Sequence, residues 1–260
     1  MLRVSDGGPT AGSLPIVFVH GLGGSIDLWE AQLSHLRPSR RAVALDFPGH
    51  GQSTASDDYA IESFARDLEA VADKLELKRF VLAGHSLGGS VAGAFAAAHP
   101  ERVAALLLVD ATGDLRKAPP ETIEALLKTL RGPELAEYSK QFVKAVCGRS
   151  EAVADRVLAS MQAAQQTAVA RWFEAATTWA PVETLRRYQG PKLLIHSELN
   201  DTAYSLVMLM PELPRKLIAA GHCLHLQEPA EFNAAMDAFL AQADALPTAG
   251  PAPATSPATP

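Results

Sequence analysis

The sequence predicts an α/β fold built on a mostly parallel central sheet, and three patterns carry that expectation. The first is a set of short, continuously apolar runs: Ile16-Val17-Phe18-Val19, Ala42-Val43-Ala44-Leu45, Phe80-Val81-Leu82-Ala83 and Ala105-Leu106-Leu107-Leu108-Val109. Runs apolar at every position suit strands covered on both faces, as parallel strands are. The second is the helical pattern between them. Ile61, Phe64, Ala65, Leu68, Val71, Ala72 and Leu75 recur at three- and four-residue spacing, with charged residues on the opposite face. The third is a change of texture: strand signals stop at Gly113 and resume near Gln189. Alternation of strand and helix gives the class; the interruption gives an insertion.

Each element follows from local chemistry. Gly88 to His99 reads as a helix stopped by Pro100, and its small residues allow close packing on a sheet. Segments 120–130, 133–147, 150–165 and 167–179 all read as helix; Leu135, Tyr138, Phe142 and Val146 mark one apolar stripe. Strands return at Lys192-Leu193-Leu194-Ile195 and Lys216-Leu217-Ile218-Ala219, and a last helix runs from Pro229 to about Ala241. The expected organisation is a core of residues 1–112 and 190–246 with an all-helical lid, 113–189, placed after the sixth strand. That lid would cover the carboxyl ends of the strands, where open α/β sheets bind ligands. Residues 247–260 (PTAGPAPATSPATP) have no charge and no large apolar side chain, so a disordered tail is expected there.

Composition excludes several classes. With 260 residues, 48% of them hydrophobic, the chain can bury one sizeable core. A formal net charge of −6 with no basic run argues against a nucleic-acid partner. No apolar run is long enough to span a bilayer, and MLRVSDGGPT lacks the apolar centre of a signal peptide. Cys147 and Cys223 are distant in sequence and read as free thiols of a reducing compartment, which makes a cytoplasmic location the expectation. No metal-ligand cluster or dinucleotide fingerprint occurs, so neither a metal nor another cofactor is expected.

The chemistry is concentrated in Gly84-His85-Ser86-Leu87-Gly88, a G-x-S-x-G pattern lying where a strand passes into a helix. A sharp turn there lifts the serine hydroxyl above the sheet edge, beside free N–H groups at the helix start. Serine in a glycine-rich turn is often only turn chemistry; the strand before and helix after favour a nucleophile. His222, in the loop after the last strand, is placed to serve as its base. His225 reads as packed or facing the lid, His85 as packing, His99 as a helix end and His35 as surface. For the acid that orients the base, Asp201 is first by its place in the chain, with Glu198 and Asp110 as alternatives. Asp201 and Asp110 could equally be turn or cap residues. The oxyanion donors expected are the backbone N–H groups of Leu87 and Leu22, with Gly23 behind Leu22.

These motifs together resemble those of the α/β-hydrolases, in the lid-bearing branch of serine esterases, lactonases and C–C hydrolases. His20-Gly21-Leu22-Gly23-Gly24 resembles the family's oxyanion loop and Asp46-Phe47-Pro48-Gly49-His50-Gly51-Gln52-Ser53 its D-x-P-G-x-G-x-S loop. Gly84–Gly89 resembles its nucleophile elbow and Gly221-His222 its base loop. The likeness covers most of residues 14–241 and departs at one point. Where the family commonly has G-x-x-D, this chain has Ser197-Glu198-Leu199-Asn200, with Asp201 one residue late. Asp46, Gly49 and Gly51 are expected to shape their loop. The resemblance implies hydrolysis of a small to medium, apolar carboxylic ester or lactone, without a cofactor. Serine at the elbow speaks against dehalogenases and epoxide hydrolases, which use aspartate there. C–C bond hydrolysis and acyl transfer stay open on the same residues, as does a non-catalytic receptor. Trp172 and Trp179 are expected in the core of the lid more than in its pocket. Oligomeric state is not legible.

Overall fold

A computed structural model describes residues 1–246; the expected tail, 247–260, lies outside them. Seven strands form one sheet: β1 (Val4–Gly7), β2 (Ile16–Val19), β3 (Ala42–Leu45), β4 (Phe80–His85), β5 (Val103–Val109), β6 (Lys192–His196) and β7 (Arg215–Leu217). Their order is β1-β3-β2-β4-β5-β6-β7. Only β1 runs antiparallel, pairing Val4 with Leu45. Every strand read from the sequence is present, shifted by a residue or two at the ends. β1 went unread because Val-Ser-Asp-Gly is short and polar, an edge strand with only one neighbour to satisfy.

The apolar runs split into two faces with the period of two expected of a strand. Val17, Val19, Val43, Leu45, Leu82, Leu106 and Leu108 point to one side, where α2 (Ile61–Lys74) and α3 (Leu87–Ala98) pack. Ile16, Phe18, Ala42, Ala44, Val81, Ala83, Ala105 and Leu107 point to the other, covered by α1 (Glu30–Leu36) and α11 (Pro229–Asp244). Gly93 lets α8 (Pro181–Arg187) approach α3, since a Cβ there would meet Leu185 at 3.2 Å.

Between β5 and β6 lie α4 (Pro120–Arg131), α5 (Leu135–Cys147), α6 (Glu151–Ala163) and α7 (Gln166–Thr178), the four helices read from the sequence. Counted along this chain the insert follows the fifth strand and not the sixth, because a single strand precedes Ile16. Trp172 on α7 is fully buried among Phe64, Phe47 and His50, with ring centroids 4.6, 5.5 and 5.2 Å away. It seals the insert to the sheet domain. No described helix is long and apolar enough to cross a membrane.

One expectation is overturned. Cys147 and Cys223 are not free thiols: they form a disulfide, with Cα atoms 5.7 Å apart across a sequence separation of 76. Folding brings the end of α5 onto the loop after β7, a proximity that sequence distance concealed. The reason for reading a reducing compartment from these cysteines is thereby removed. Cross-linking over such a span restricts the unfolded chain, and loss of the bond should cost about 2–4 kcal/mol. Urea unfolding of wild type with and without reductant, alongside a Cys147→Ser/Cys223→Ser variant, measures this; matching midpoints would show the bond contributes nothing to stability.

Candidate active site

Ser86 occupies the turn between β4 and α3 with φ 53° and ψ −125°, in the left-handed region that non-glycine residues rarely adopt. Such a residue stores about 1–3 kcal/mol of strain. The glycines around it are demanded by contact. A Cβ on Gly84 would lie 2.5 Å from the Gly88 carbonyl oxygen, and one on Gly88 would lie 2.3 Å from that of His20. Leu87 is the first residue of α3, so its N–H has no helical carbonyl to receive it. Ser86, Leu87, Leu22 and Gly23 all face one cavity of about 450 Å³.

His222 lines the same cavity; after β6 the chain passes through the short α9 (Leu206–Leu209) to β7, and His222 lies on the loop between β7 and α10 (Leu224–Gln227). Its Nδ1 lies 2.6 Å from Asp110 Oδ2. Asp110 directly follows β5, itself in left-handed backbone with φ 42°, and its side chain is buried. Three further donors hold the carboxylate: Ser197 N–H at 2.7 Å and Asn200 Nδ2 at 3.1 Å on Oδ1, and Ser197 Oγ at 3.0 Å on Oδ2. Burial pushes this carboxyl upward. The bond from His222, the charge of His222, and the Ser197 and Asn200 donors outweigh burial and hold it well below the usual carboxylate range.

Asp201, the first choice from sequence, is not on His222. It is exposed on the loop after β6 and does not line the cavity. Glu198 also turns away and pairs with Arg149 at the surface. The physical reason is register. Val109 pairs with Ile195, so the residues just beyond β5 and β6 lie side by side, and the buried place beneath His222 is filled from β5. Asn200, at the position where the related pattern has aspartate, donates to Asp110 instead of replacing it. The usable signal was an aspartate at the end of a fully apolar central strand, next to the serine turn; chain position outweighed it.

Three further histidines, His20, His85 and His225, pack beside the site. His20 Nδ1–H donates to the Gly21 carbonyl at 2.8 Å while Nε2 accepts from Phe47 N–H at 3.0 Å, which fixes one neutral tautomer. His85 Nε2–H donates to the His222 carbonyl at 3.0 Å. His225 stacks on Trp29 with centroids 4.5 Å apart. Asp46 accepts from Ile26 N–H at 2.6 Å and Gln52 N–H at 2.9 Å, tying its loop to the one that carries Leu22. Among the described residues no cluster of three His, Cys, Asp or Glu side chains could hold a metal ion.

Burial depresses four imidazoles, His20 to about 4, His50 and His85 to about 3 and His225 well below its ordinary value, with His222 adding to the effect at His85. In an unfolded chain they would take up protons below about pH 6.5. Between that pH and about 4 the unfolded state binds more protons than the folded one, so stability falls as pH falls. The slope is about 1.4 kcal/mol per pH unit for each imidazole. Asp110, also depressed, acts in the same sense at lower pH. The melting temperature should therefore drop steeply from pH 6.5 to pH 4, and His50→Asn should flatten the curve; a level calorimetric profile would contradict the burial of these rings.

Comparison with known proteins identifies the family. Residues 15–229 match the family described as alpha/beta hydrolase fold. A serine hydrolase-like protein of Danio rerio is 38% identical over 117 residues, 44% of this chain and 36% of that one. The (lyso)-N-acylphosphatidylethanolamine lipase of Bos taurus is 33% identical over 43% of this chain and 34% of its own. The chain thus spans well under half the length of these relatives. The crystal structure of the enol-lactonase from Burkholderia xenovorans LB400 superposes with a TM-score of 0.83 at 21% identity, covering 92% of this chain and 96% of that one, a likeness of fold.

Proposed function

The chain belongs to the α/β-hydrolase fold family, and from that premise we propose that it is a serine hydrolase acting on a small to medium, apolar carboxylic ester or lactone. The observation that carries the proposal is a buried carboxylate on His222 Nδ1, beside a cavity whose wall includes Ser86. Ser86 is the nucleophile, His222 the base, and Asp110 the acid that holds the imidazole's tautomer. Asp110 takes this role from Asp201 because it alone of the three candidates touches the ring.

In this reading Ser86 Oγ attacks the ester or lactone carbonyl while His222 Nε2 removes its proton. The tetrahedral oxyanion is held by the Leu22 and Leu87 N–H groups. Collapse expels the alcohol, which takes the proton back from His222, and leaves an acyl group on Ser86. Water, activated by the same imidazole, then releases the acid. Asp110 stabilises the imidazolium formed in each half and remains ionised, consistent with its lowered pKa.

Substrate class follows from the cavity. Leu22, Leu126, Leu130, Phe142, Val146 and Met161 supply apolar wall, and neither lysine nor arginine lines it. A carboxylated or phosphorylated acyl group would find no cation there. A volume of about 450 Å³ suits a ligand of modest size. Helices α4 to α6 act as the lid over it; α8, packed on α3, belongs with the core. The names of the lipase and enol-lactonase relatives agree with ester and lactone chemistry. A non-catalytic receptor is disfavoured because its one foothold, a displaced acid, disappears once Asp110 occupies the place.

A fluorophosphonate probe should label wild type and fail on Ser86→Ala. With short and medium acyl esters, Asp110→Asn should lower kcat by about 10³–10⁴-fold, while Asp201→Asn leaves it near wild type. Absence of labelling in folded wild-type protein would remove the nucleophile, and the opposite ranking of the two asparagine variants would return the acid to Asp201.

A further inference from the structure

The base loop hangs from the weakest part of the sheet. β7 has three residues, all exposed, and among the described residues only β6 as a neighbour. Such a strand gives little leverage for holding an imidazole to the tolerance that proton transfer needs. The loop is held from the other side, by the end of α5. His222 N–H donates to the Val146 carbonyl at 2.8 Å. Gln227 bridges the two segments, accepting from Gly221 N–H at 2.7 Å and donating through Nε2 to the Cys147 carbonyl at 2.9 Å. Arg149 Nη1 donates to the Ala219 carbonyl at 2.8 Å. Gly221 admits this approach, since a Cβ there would stand 2.1 Å from the Val146 oxygen.

The covalent member of the set is the Cys147–Cys223 bond, which joins the last residue of α5 to the residue that follows His222. The neighbouring helix continues the connection to the other side of the cavity. Ser160 Oγ on α6 donates to the Gly23 carbonyl at 3.0 Å, in the loop that carries Leu22. The α5–α6 pair therefore spans the base loop and the oxyanion loop.

Resting on the reading of His222 as base, we propose that the Cys147–Cys223 disulfide is a positioning element for that histidine and that its reduction by a small dithiol reversibly lowers turnover. Both cysteines border the cavity but are buried in its wall, Cys147 completely and Cys223 at 3% exposure, so a small dithiol that enters the cavity reaches the bond as the end of α5 and the base loop fluctuate apart. One thiolate of the dithiol attacks the bond and forms a mixed disulfide, and its second thiolate displaces the remaining protein sulfur. Two electrons and two protons pass to Cys147 and Cys223, and the reagent leaves as its cyclic disulfide. After reduction only hydrogen bonds hold α5 to the loop, and His222 samples positions from which Ser86 cannot be deprotonated.

The test compares oxidised, dithiothreitol-reduced and reoxidised wild type with Cys147→Ser, all checked for folding by circular dichroism. Thiol titration should find no thiols in the oxidised protein and two after reduction. Reduction should lower kcat about 10–100-fold with KM little changed, reoxidation should restore it, and Cys147→Ser should match the reduced enzyme and ignore reductant. Should Cys147→Ser not fold, the reduction and reoxidation cycle on wild type decides alone. An unchanged kcat after verified reduction, a loss confined to KM, or two free thiols in fully active protein would each overturn the proposal. Amide hydrogen exchange over residues 219–226 provides a readout independent of turnover. Exchange should accelerate on reduction, and unchanged protection would sink the clamp whatever the serine does. Faster exchange with no fluorophosphonate labelling of either form would instead support the clamp and remove the serine reading.

Discussion

Three backbone segments meet with no side chain between them at the top of the central strands. Gly88, at the start of α3, lies against the carbonyls of Val19 and His20, and Gly84 lies against Gly88. The turn is closed from the third side, where Ser86 N–H donates to the Val109 carbonyl and Thr112 N–H to the Ser86 carbonyl. This seam fixes the serine turn against the loop that carries Leu22 and the end of β5. A side chain at either glycine would force the strands apart, and with them every group that faces the cavity. The strained backbone of Ser86 persists because the seam leaves it no alternative.

The acid shows how parallel neighbours can exchange duties. β5 and β6 are adjacent and in register, so a residue one step past either strand reaches the same buried volume under the base loop. In this chain β5 supplies the carboxylate, and β6 supplies what a buried carboxylate requires: donors from Ser197 and Asn200. A buried charge without such partners would become protonated and lose its hold on an imidazolium. The chemistry constrains a place and a set of donors, leaving open which strand provides each.

That exchange marks the boundary of what the sequence could disclose. The strands, the long helices and the serine turn were legible because each is encoded within a window of a few residues: an unbroken apolar run, a 3.6-residue stripe, a glycine pair around a serine. The place of His222 at the same edge as Ser86 was legible because it follows the last strand, and strand ends in a parallel sheet share one edge. The pairing of Asp110 with His222 depends on strand order and register, which no local window contains. The disulfide is the extreme case, uniting residues 76 apart through the packing of an insert on a loop. The polar edge strand Val4–Gly7 was missed for the opposite reason, having almost no local signal.

The sheet and the insert thus divide the work of orientation. Strands β2, β4 and β5, buried at every residue, fix the loop that carries Leu22, the Ser86 turn and Asp110. His222, the proposed base, sits beyond β7, where the sheet frays into an exposed edge, and hydrogen bonds with Asp110 and His85 constrain only two atoms of it. Rigid placement of an imidazole requires its backbone to be fixed as well as its ring. The insert meets that requirement through the carbonyl of Val146, the side chain of Gln227 and one covalent bond. It follows that α5 cannot swing away as a whole to admit substrate without carrying the base with it.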